Sequence, residues 1–223
     1  MIPRILLDTA AMPGGGGELR LFRRGDEFAI MIGSVELMTS RAAGSEEALA
    51  RLACERIAGR RRPAMLIGGL GMGFTLGAAL AALPGDAEVT VAELVPAVVG
   101  WARGPLAPLF AGSLEDPRVR VVEEDVAQTL ARSSGAFGAV LLDVDNGPGG
   151  LAIESNDRLY AAAGLAAARA ALRSGGVLAI WSSHPDHGFT RRLRDAGFAV
   201  DEVPVRSAGR KGARHHLWFG RRS

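Results

Sequence analysis

The stretch Ala64-Met-Leu-Ile-Gly-Gly-Leu-Gly-Met-Gly73 decides the fold, because a short apolar run meets a glycine cluster there. The alanine- and leucine-rich segment Phe74-Thr-Leu-Gly-Ala-Ala-Leu-Ala-Ala82 follows at once. A strand, a tight glycine turn and a helix in this order are typical of a nucleotide site at the edge of a parallel sheet. We predict cofactor-binding roles for Gly69, Gly71 and Gly73, since glycine permits positive φ and a close approach of ligand to backbone.

The spacing of these glycines argues against a dinucleotide cofactor. The dinucleotide fingerprint is G-x-G-x-x-G, whereas this chain has Gly69-x-Gly71-x-Gly73, with Phe74 where the last glycine would stand. A loop that holds a nucleoside with a non-phosphate tail is therefore favoured over a pyrophosphate-binding turn. A nicotinamide-dependent oxidoreductase stays as a weaker alternative.

The other segments predict the fold class. Residues 1–40 alternate between apolar and polar side chains and are interrupted by glycine turns, which predicts a small antiparallel β-meander. From Ala64 onward, strands and helices alternate, which predicts an α/β fold with a Rossmann-like, seven-stranded, mostly parallel sheet. The short connection before the final strand predicts that this last strand is antiparallel. We therefore divide the chain into an N-terminal β-hairpin region (residues 1–44) and a Rossmann-like domain (residues 45–223).

Local patterns also predict particular element boundaries. Ser45, followed by two acidic residues, is predicted to cap the N-terminus of a helix. One long helix is predicted from about Asp157 to Leu172, and a strand is predicted over Val177–Trp181. Trp181 and the single cysteine, Cys54, are predicted to be packing residues.

Composition excludes several functional classes. Hydrophobic residues make up 48% and charged residues 22% of the 223 residues, so a large core and an ordered chain are expected. The net charge of +2 and the purely local clustering of arginines argue against nucleic acid as a partner. One cysteine, no signal-like start and no apolar run of about 18 residues predict a cytoplasmic protein without disulfides or membrane spans.

Carboxylates follow the predicted strands at the edge where ligands bind in such a sheet. Glu93 lies about 20 residues after the glycine cluster, the distance at which an acid reaches ribose hydroxyls; the alternative is a solvent-exposed acid. Asp125 follows the third strand and is placed to accept from an adenine amino group, or to cap the next helix. Glu124 is the alternative for the adenine contact.

The fourth strand ends in the polar segment Asp143-Val-Asp-Asn-Gly-Pro148. Asp143 lies where a catalytic carboxylate is expected, and two nearby acids can differ in pKa. Asp145 and Asn146 follow it on the same loop. The alternative is an Asx-rich turn whose side chains bond their own backbone.

Histidines and arginines near the last strands offer further candidates. His184 and His187 follow the fifth strand and are placed to line an acceptor pocket. A metal site is not expected, because no third ligand accompanies them. The basic loop of residues 207–214 is either a recognition site for an acidic acceptor or a solvated hairpin.

Together these motifs resemble the class I S-adenosylmethionine-dependent methyltransferase fold and, within it, the spermidine synthase (aminopropyltransferase) family. The matching segments are the glycine-rich stretch Ile67–Gly73, the ribose-side stretch Val91–Val98, the adenine-side stretch Asp116–Asp125 and the catalytic loop Asp143–Pro148. The resemblance implies ribose binding by Glu93 and adenine-side contacts by Asp125 and its neighbour Val126. Family members pair through N-terminal hairpins, so we expect a homodimer.

The chain departs from the family at the amine end of the site. Gly71 stands where the family has an aspartate that grips the aminopropyl amine, and Asn146 replaces an aspartate that helps to hold the polyamine. Glu36 stands in place of a glutamine, and Glu46 is what is left of a Tyr-His-Glu segment. An acid beside the donor's tail repels the carboxylate of S-adenosylmethionine by about 4 kcal/mol at 4 Å and an effective dielectric constant of 20. The glycine at position 71 therefore predicts that intact S-adenosylmethionine binds.

We accordingly expect a transferase that uses S-adenosylmethionine, moves a methyl group to a small-molecule acceptor and needs no metal. Asp143 and Asp145 are the predicted catalytic residues. Asn146, Glu46 and His184 are the predicted substrate contacts. The alternatives are aminopropyl transfer from decarboxylated S-adenosylmethionine, and a non-catalytic protein that binds an adenosyl ligand.

Overall fold

The computed structural model describes residues 2–15, 17–144, 147–148, 157–209 and 212–223. Within them the N-terminal part forms a four-stranded antiparallel sheet in the order β1-β2-β3-β4. Its strands are β1 (Ile5–Ala11), β2 (Glu18–Arg24), β3 (Glu27–Ile32) and β4 (Val35–Thr39). The antiparallel meander predicted for this part of the chain is confirmed.

The rest of the chain builds the α/β part. Its strands are β5 (Ala64–Gly68), β6 (Glu88–Glu93), β7 (Val119–Glu123), β8 (Phe137–Leu142), β9 (Leu172–Ser182), β10 (Phe198–Arg206) and β11 (Arg214–Arg222). Its helices are α1 (Gly44–Arg56), α2 (Phe74–Ala82), α3 (Pro96–Arg103), α4 (Ala107–Phe110), α5 (Val126–Arg132), α6 (Asp157–Tyr160), α7 (Ala162–Ala171) and α8 (His187–Asp195). None of the described helices is long and apolar enough to cross a membrane.

The large sheet has seven strands in the order β10-β11-β9-β8-β5-β6-β7. β5 pairs in parallel with β6 and β8, while β11 pairs antiparallel with both β9 and β10. The α/β class, the mostly parallel sheet and the antiparallel last strand are thus confirmed. Because β5, β6 and β8 run in parallel, their carboxyl ends meet at one edge of the sheet.

Core packing explains why the central strand is uniformly apolar. Every residue of β5 is buried, as expected for a parallel strand that is covered on both faces. Met65 and Ile67 face one hydrophobic cluster, and Leu66 faces the other. Leu21 and Ile30 of the N-terminal sheet belong to the first cluster. The small sheet therefore packs on the same face of the large sheet as α1 to α3.

Three predicted boundaries were wrong. The long helix over Asp157–Leu172 is two helices, because Ala161 between them has an extended backbone (φ −77°, ψ 166°). β9 begins at Leu172 rather than Val177, since its register with β8 shifts and lets it pair earlier. Ser45 is not the helix cap: Ala43 holds that position without a side-chain hydrogen bond. The division at residue 44 stays a prediction.

Candidate active site

A cavity opens at the carboxyl ends of β5, β6 and β8, directly above the glycine loop. It has about 1180 Å³ of empty space, which includes its open mouth. The floor is the loop from Gly69 to Gly73, and one wall is β4, through Leu37, Met38 and Thr39. The N-terminal sheet is therefore part of the site and covers one side of it.

The glycine loop takes the conformation that its sequence predicts. Gly69, Gly71 and Gly73 all have positive φ, at 91°, 51° and 82°. A Cβ atom on Gly69 would lie 2.4 Å from the Asp143 carbonyl oxygen, and one on Gly73 would lie 2.5 Å from the Phe110 ring. Both glycines thus permit close packing within the protein as well as lining the cavity. Their roles in ligand binding stay predictions.

Gly71 lies against a side chain that sequence reasoning did not consider. A Cβ atom at this position would lie 3.0 Å from the Met38 sulfur of β4. Met38 thus stands where an acid on the glycine loop would project. The amine-gripping acid of the resembling family has no room here unless Met38 moves, and the backbone at φ 51° is unfavourable for any side chain.

Glu93 ends β6 and ties the glycine loop to the sheet. Its carboxylate accepts hydrogen bonds from the backbone N–H groups of Leu70 (2.8 Å) and Val95 (2.9 Å). The side chain is buried, which raises the pKa of the carboxyl, while the backbone donors oppose that rise. Glu93 lines the cavity and keeps further acceptor capacity on each oxygen. Ribose binding by Glu93 stays a prediction.

Asp125 has the capping role that was its alternative interpretation. Its side chain accepts a hydrogen bond from the Ala127 N–H across 2.8 Å and caps α5. It also lines the cavity, as does Val126, whose side chain packs over Gly68. Glu124 instead pairs with Thr129 and Arg132, away from the cavity. Glu124 is not among the described lining residues, and adenine contacts by Asp125 and Val126 stay predictions.

Asp143 directly follows β8, and its carboxylate reaches the cavity. It accepts a hydrogen bond from the Thr75 hydroxyl in the first turn of α2, at 2.5 Å. Burial raises the pKa of Asp143 to about 7, and the nearby charge of Glu46 raises it too, while the Thr75 hydrogen bond opposes the rise. Asp143 therefore has a pKa suited to taking a proton near neutral pH. Sequence reasoning missed Thr75, although its place at the start of the helix after the glycine loop was a usable signal.

Glu46 reaches the same cavity from the first turn of α1. Its carboxylate accepts a hydrogen bond from the Ser45 hydroxyl at 2.5 Å. Burial raises the pKa of Glu46, and that hydrogen bond opposes the rise. Glu46 and Asp143, which are far apart in the sequence, thus face the same cavity.

Other predicted site residues lie either outside the described residues or away from the cavity. Asp145 and Asn146 lie outside the described residues, as do Arg210 and Lys211 of the basic loop. His184 is exposed, with its Nδ1 atom 2.8 Å from the Ser183 hydroxyl, and it is not among the residues that line the cavity. Glu36 pairs with Arg4 and Arg41 outside the cavity. By contrast Trp181, predicted only to pack, contributes to the cavity wall.

The charges around the cavity have one sign. The ionisable side chains among its described lining residues are four carboxylates, on Glu46, Glu93, Asp125 and Asp143. No arginine, lysine or histidine stands among those described lining residues. In the described part of the chain no cluster of three His, Cys, Asp or Glu side chains is arranged to hold a metal ion. The cavity is thus an electrostatic match for a positively charged ligand.

Comparisons with known proteins relate the chain to one group of enzymes by sequence and by fold. No protein-family model matches the chain. A polyamine aminopropyltransferase of Mycobacterium tuberculosis (strain H37Rv) is 31% identical over 198 residues, which cover 84% of this chain and 36% of the relative. The chain thus spans about a third of the length of the curated relatives it matches.

Solved structures show the same fold. The spermidine synthase of Thermotoga maritima matches with a TM-score of 0.79 at 18% identity, covering 98% of this chain and 73% of that one. A spermidine synthase in complex with the transition-state analogue AdoDATO matches with a TM-score of 0.78 at 18% identity, covering 98% and 72%. The chain therefore has the spermidine synthase fold, and the resemblance found in the sequence is confirmed.

These comparisons bear on which group is transferred. The curated relatives are named for aminopropyl transfer. They do not support the expected methyl transfer and favour aminopropyl transfer, the alternative.

Proposed function

We propose that this chain is an aminopropyltransferase that uses decarboxylated S-adenosylmethionine and a small amine. The observation that carries the proposal is the set of four carboxylates that are the only ionisable groups among the described lining residues of the cavity. Both the sulfonium donor and an alkylammonium acceptor are cations. Intact S-adenosylmethionine also carries a carboxylate, for which the described wall offers no basic partner.

The donor is oriented by the ends of neighbouring strands. Glu93 on β6 is proposed to bind the ribose hydroxyls, while Asp125 and Val126 after β7 are proposed to contact adenine. The sulfonium tail then extends towards Asp143, where Glu46 also faces the cavity. The acid that is missing at Gly71 is thereby supplied by another element, so the sequence argument for intact S-adenosylmethionine loses its basis.

Asp143 is proposed to act on the acceptor. An ammonium group must lose a proton before its nitrogen can attack, and a carboxylate with a pKa of about 7 is suited to take it. The amine then attacks the carbon next to sulfur. A C–N bond forms, the C–S bond breaks with its electron pair going to sulfur, and methylthioadenosine leaves. Holding the two reactants in line supplies much of the rate.

Partners and location follow from the same proposal. The acceptor is a small amine that fits beside Trp181 and Val144 in the cavity wall. Homodimer formation through the N-terminal sheet and a cytoplasmic location stay predictions. Asp145 and Asn146 remain proposed contributors from the loop after β8.

Calorimetry tests the donor, and a turnover assay tests the reaction. We expect decarboxylated S-adenosylmethionine to bind at least tenfold more tightly than the intact form, because a donor carboxylate beside two acids costs up to about 4 kcal/mol. Glu46→Gln should narrow that ratio, and Arg51→Gln, at an exposed position on the same helix, is the matched control. Methylthioadenosine release with putrescine or a longer diamine should accompany binding. Tighter binding of the intact donor, with methyl transfer, would overturn the proposal.

A further inference from the structure

Ser45 is a fully buried polar side chain next to the cavity. Its hydroxyl lies 2.5 Å from a carboxylate oxygen of Glu46 and 2.8 Å from the Nδ1 atom of His215. The hydroxyl was predicted to cap α1, but the structure commits it to these two side chains instead. One chain of hydrogen bonds thus runs from β11 through α1 to the cavity.

The number of hydrogen atoms fixes the direction of this chain. A serine hydroxyl has one hydrogen to donate, and an ionised carboxylate can only accept. When Glu46 is charged, the Ser45 hydrogen therefore points to Glu46, and the Nδ1 atom of His215 must carry the hydrogen that Ser45 accepts. Protonation of His215 keeps a hydrogen on Nδ1, so the direction is the same for the neutral and the charged ring.

The imidazole itself is held in place by the cavity wall. The ring of Trp181 meets the His215 ring edge to face, with centroids 4.8 Å apart. Other titratable groups surround these hydrogen bonds. Asp143 and Glu47 interact electrostatically with the Glu46 carboxylate, and His184 and His216 interact electrostatically with the His215 ring. Glu46 faces like charge from Asp143 and Glu47. The hydrogen bond that the Ser45 hydroxyl donates therefore stabilises the charged form of Glu46.

We propose that Ser45 and His215 are positioning residues that hold the Glu46 carboxylate charged and directed into the cavity. This rests on the proposed function for its consequence, since the charge on Glu46 is what selects a cationic donor tail. The pair acts through Glu46 and touches neither substrate nor reacting atoms. Without it, burial and the neighbouring acids favour the protonated form of Glu46, and the cavity loses one of its negative charges.

Carbon-13 NMR of glutamate side chains tests the pair without any ligand. The Glu46 carboxyl signal is assigned by its loss in Glu46→Gln. In Ser45→Ala this signal should titrate about one pKa unit higher than in wild type. That shift is a tenfold change in the protonation constant of Glu46. His215→Phe should raise the pKa in the same direction, while His215→Asn, which keeps a donor near Nδ1, should stay close to wild type. Arg221→Gln, at an exposed position near the other end of β11, is the control. If Ser45→Ala fails to fold, the two His215 variants alone test the proposal. The His215 side chain is only partly buried, so its replacement should disturb folding less.

Donor selection is the second measurement. Ser45→Ala and His215→Phe should each reduce the binding preference for decarboxylated over intact S-adenosylmethionine about tenfold at pH 7, and raising the pH should restore it. An unchanged Glu46 titration in both variants would overturn the inference. If the Glu46 titration shifts but the protein binds neither donor, the positioning role of Ser45 and His215 is supported and the proposed function is refuted.

Discussion

The Thr75 hydroxyl donates a hydrogen bond to the Asp143 carboxylate across 2.5 Å and joins the first turn of α2 to the end of β8. This bond stabilises the charged form of Asp143, whereas burial and Glu46 destabilise it. Thr75, the second residue after the glycine loop, thus affects how basic the proposed catalytic carboxylate is.

Replacing Thr75 should shift the pH dependence of turnover. Wild-type kcat/KM should rise with pH through about 7, since the proposed base must be ionised. Thr75→Val removes a hydrogen bond to a charged group, worth about 1.5 kcal/mol, so the acidic limb should move up by about one pH unit. Thr75→Ser keeps the hydroxyl and should behave like wild type. Identical profiles for all three proteins would show that this bond does not tune the reaction.

The raised pKa of Asp143 should also appear in the stability of the protein. Folded Asp143 has a pKa of about 7, against about 3.9 in an unfolded chain. The folded chain therefore binds more protons between these values, and this residue's contribution to the free energy of unfolding falls as pH rises from about 4 to 7. The side chain introduced by Asp143→Asn cannot titrate. Between pH 4 and pH 8, the free energy of unfolding of this variant, measured with urea, should therefore rise by about 1–3 kcal/mol relative to that of wild type. Asp26→Asn, at a fully exposed side chain, serves as the control, and an equal pH dependence in Asp143→Asn and wild type would contradict the assignment.

Two substitutions at Asp125 should separate its cap from its proposed adenine contact. Serine caps helices about as well as aspartate, so Asp125→Ser should keep the melting temperature close to wild type while weakening every adenosine ligand. Asp125→Ala removes the bond to the Ala127 N–H and should also cost about 1 kcal/mol of stability. If calorimetry shows unchanged ligand affinity in Asp125→Ser, Asp125 caps the helix and does not contact adenine.

An acid introduced at Gly71 should test the electrostatic basis of donor choice. Gly71→Asp should destabilise the protein by about 1–2 kcal/mol, because φ is positive there and because Met38 occupies the adjacent space. Combined with Met38→Ala to make room, it should increase the preference for decarboxylated S-adenosylmethionine about tenfold. Gly71→Ala in the same background carries the backbone strain without the charge. An equal preference in the two double variants would mean that added charge in this cavity does not select the donor.

Much of the fold follows from local patterns along the chain. Strands and helices alternate after Ala64, and the β5 segment is uniformly apolar, so a parallel sheet was predictable. Boundaries were less predictable: the alanine-rich segment before β9 favours helix throughout, but only its three-dimensional setting places an extended residue at Ala161. Ser45 fits a helix cap by residue type, yet its hydroxyl is used by side chains of the site.

The sequence by itself determined the acidic edge of the sheet. Glu93, Asp125 and Asp143 each follow a parallel strand, and the carboxyl ends of parallel strands must come together. Glu46 was a predicted substrate contact only through the family resemblance, and only the tertiary structure filled the space beside Gly71 with Met38 and linked Ser45 to His215. These contacts join segments that are far apart in the chain. They depend on how α1 and the N-terminal sheet pack against the large sheet, and no local periodicity carries that information.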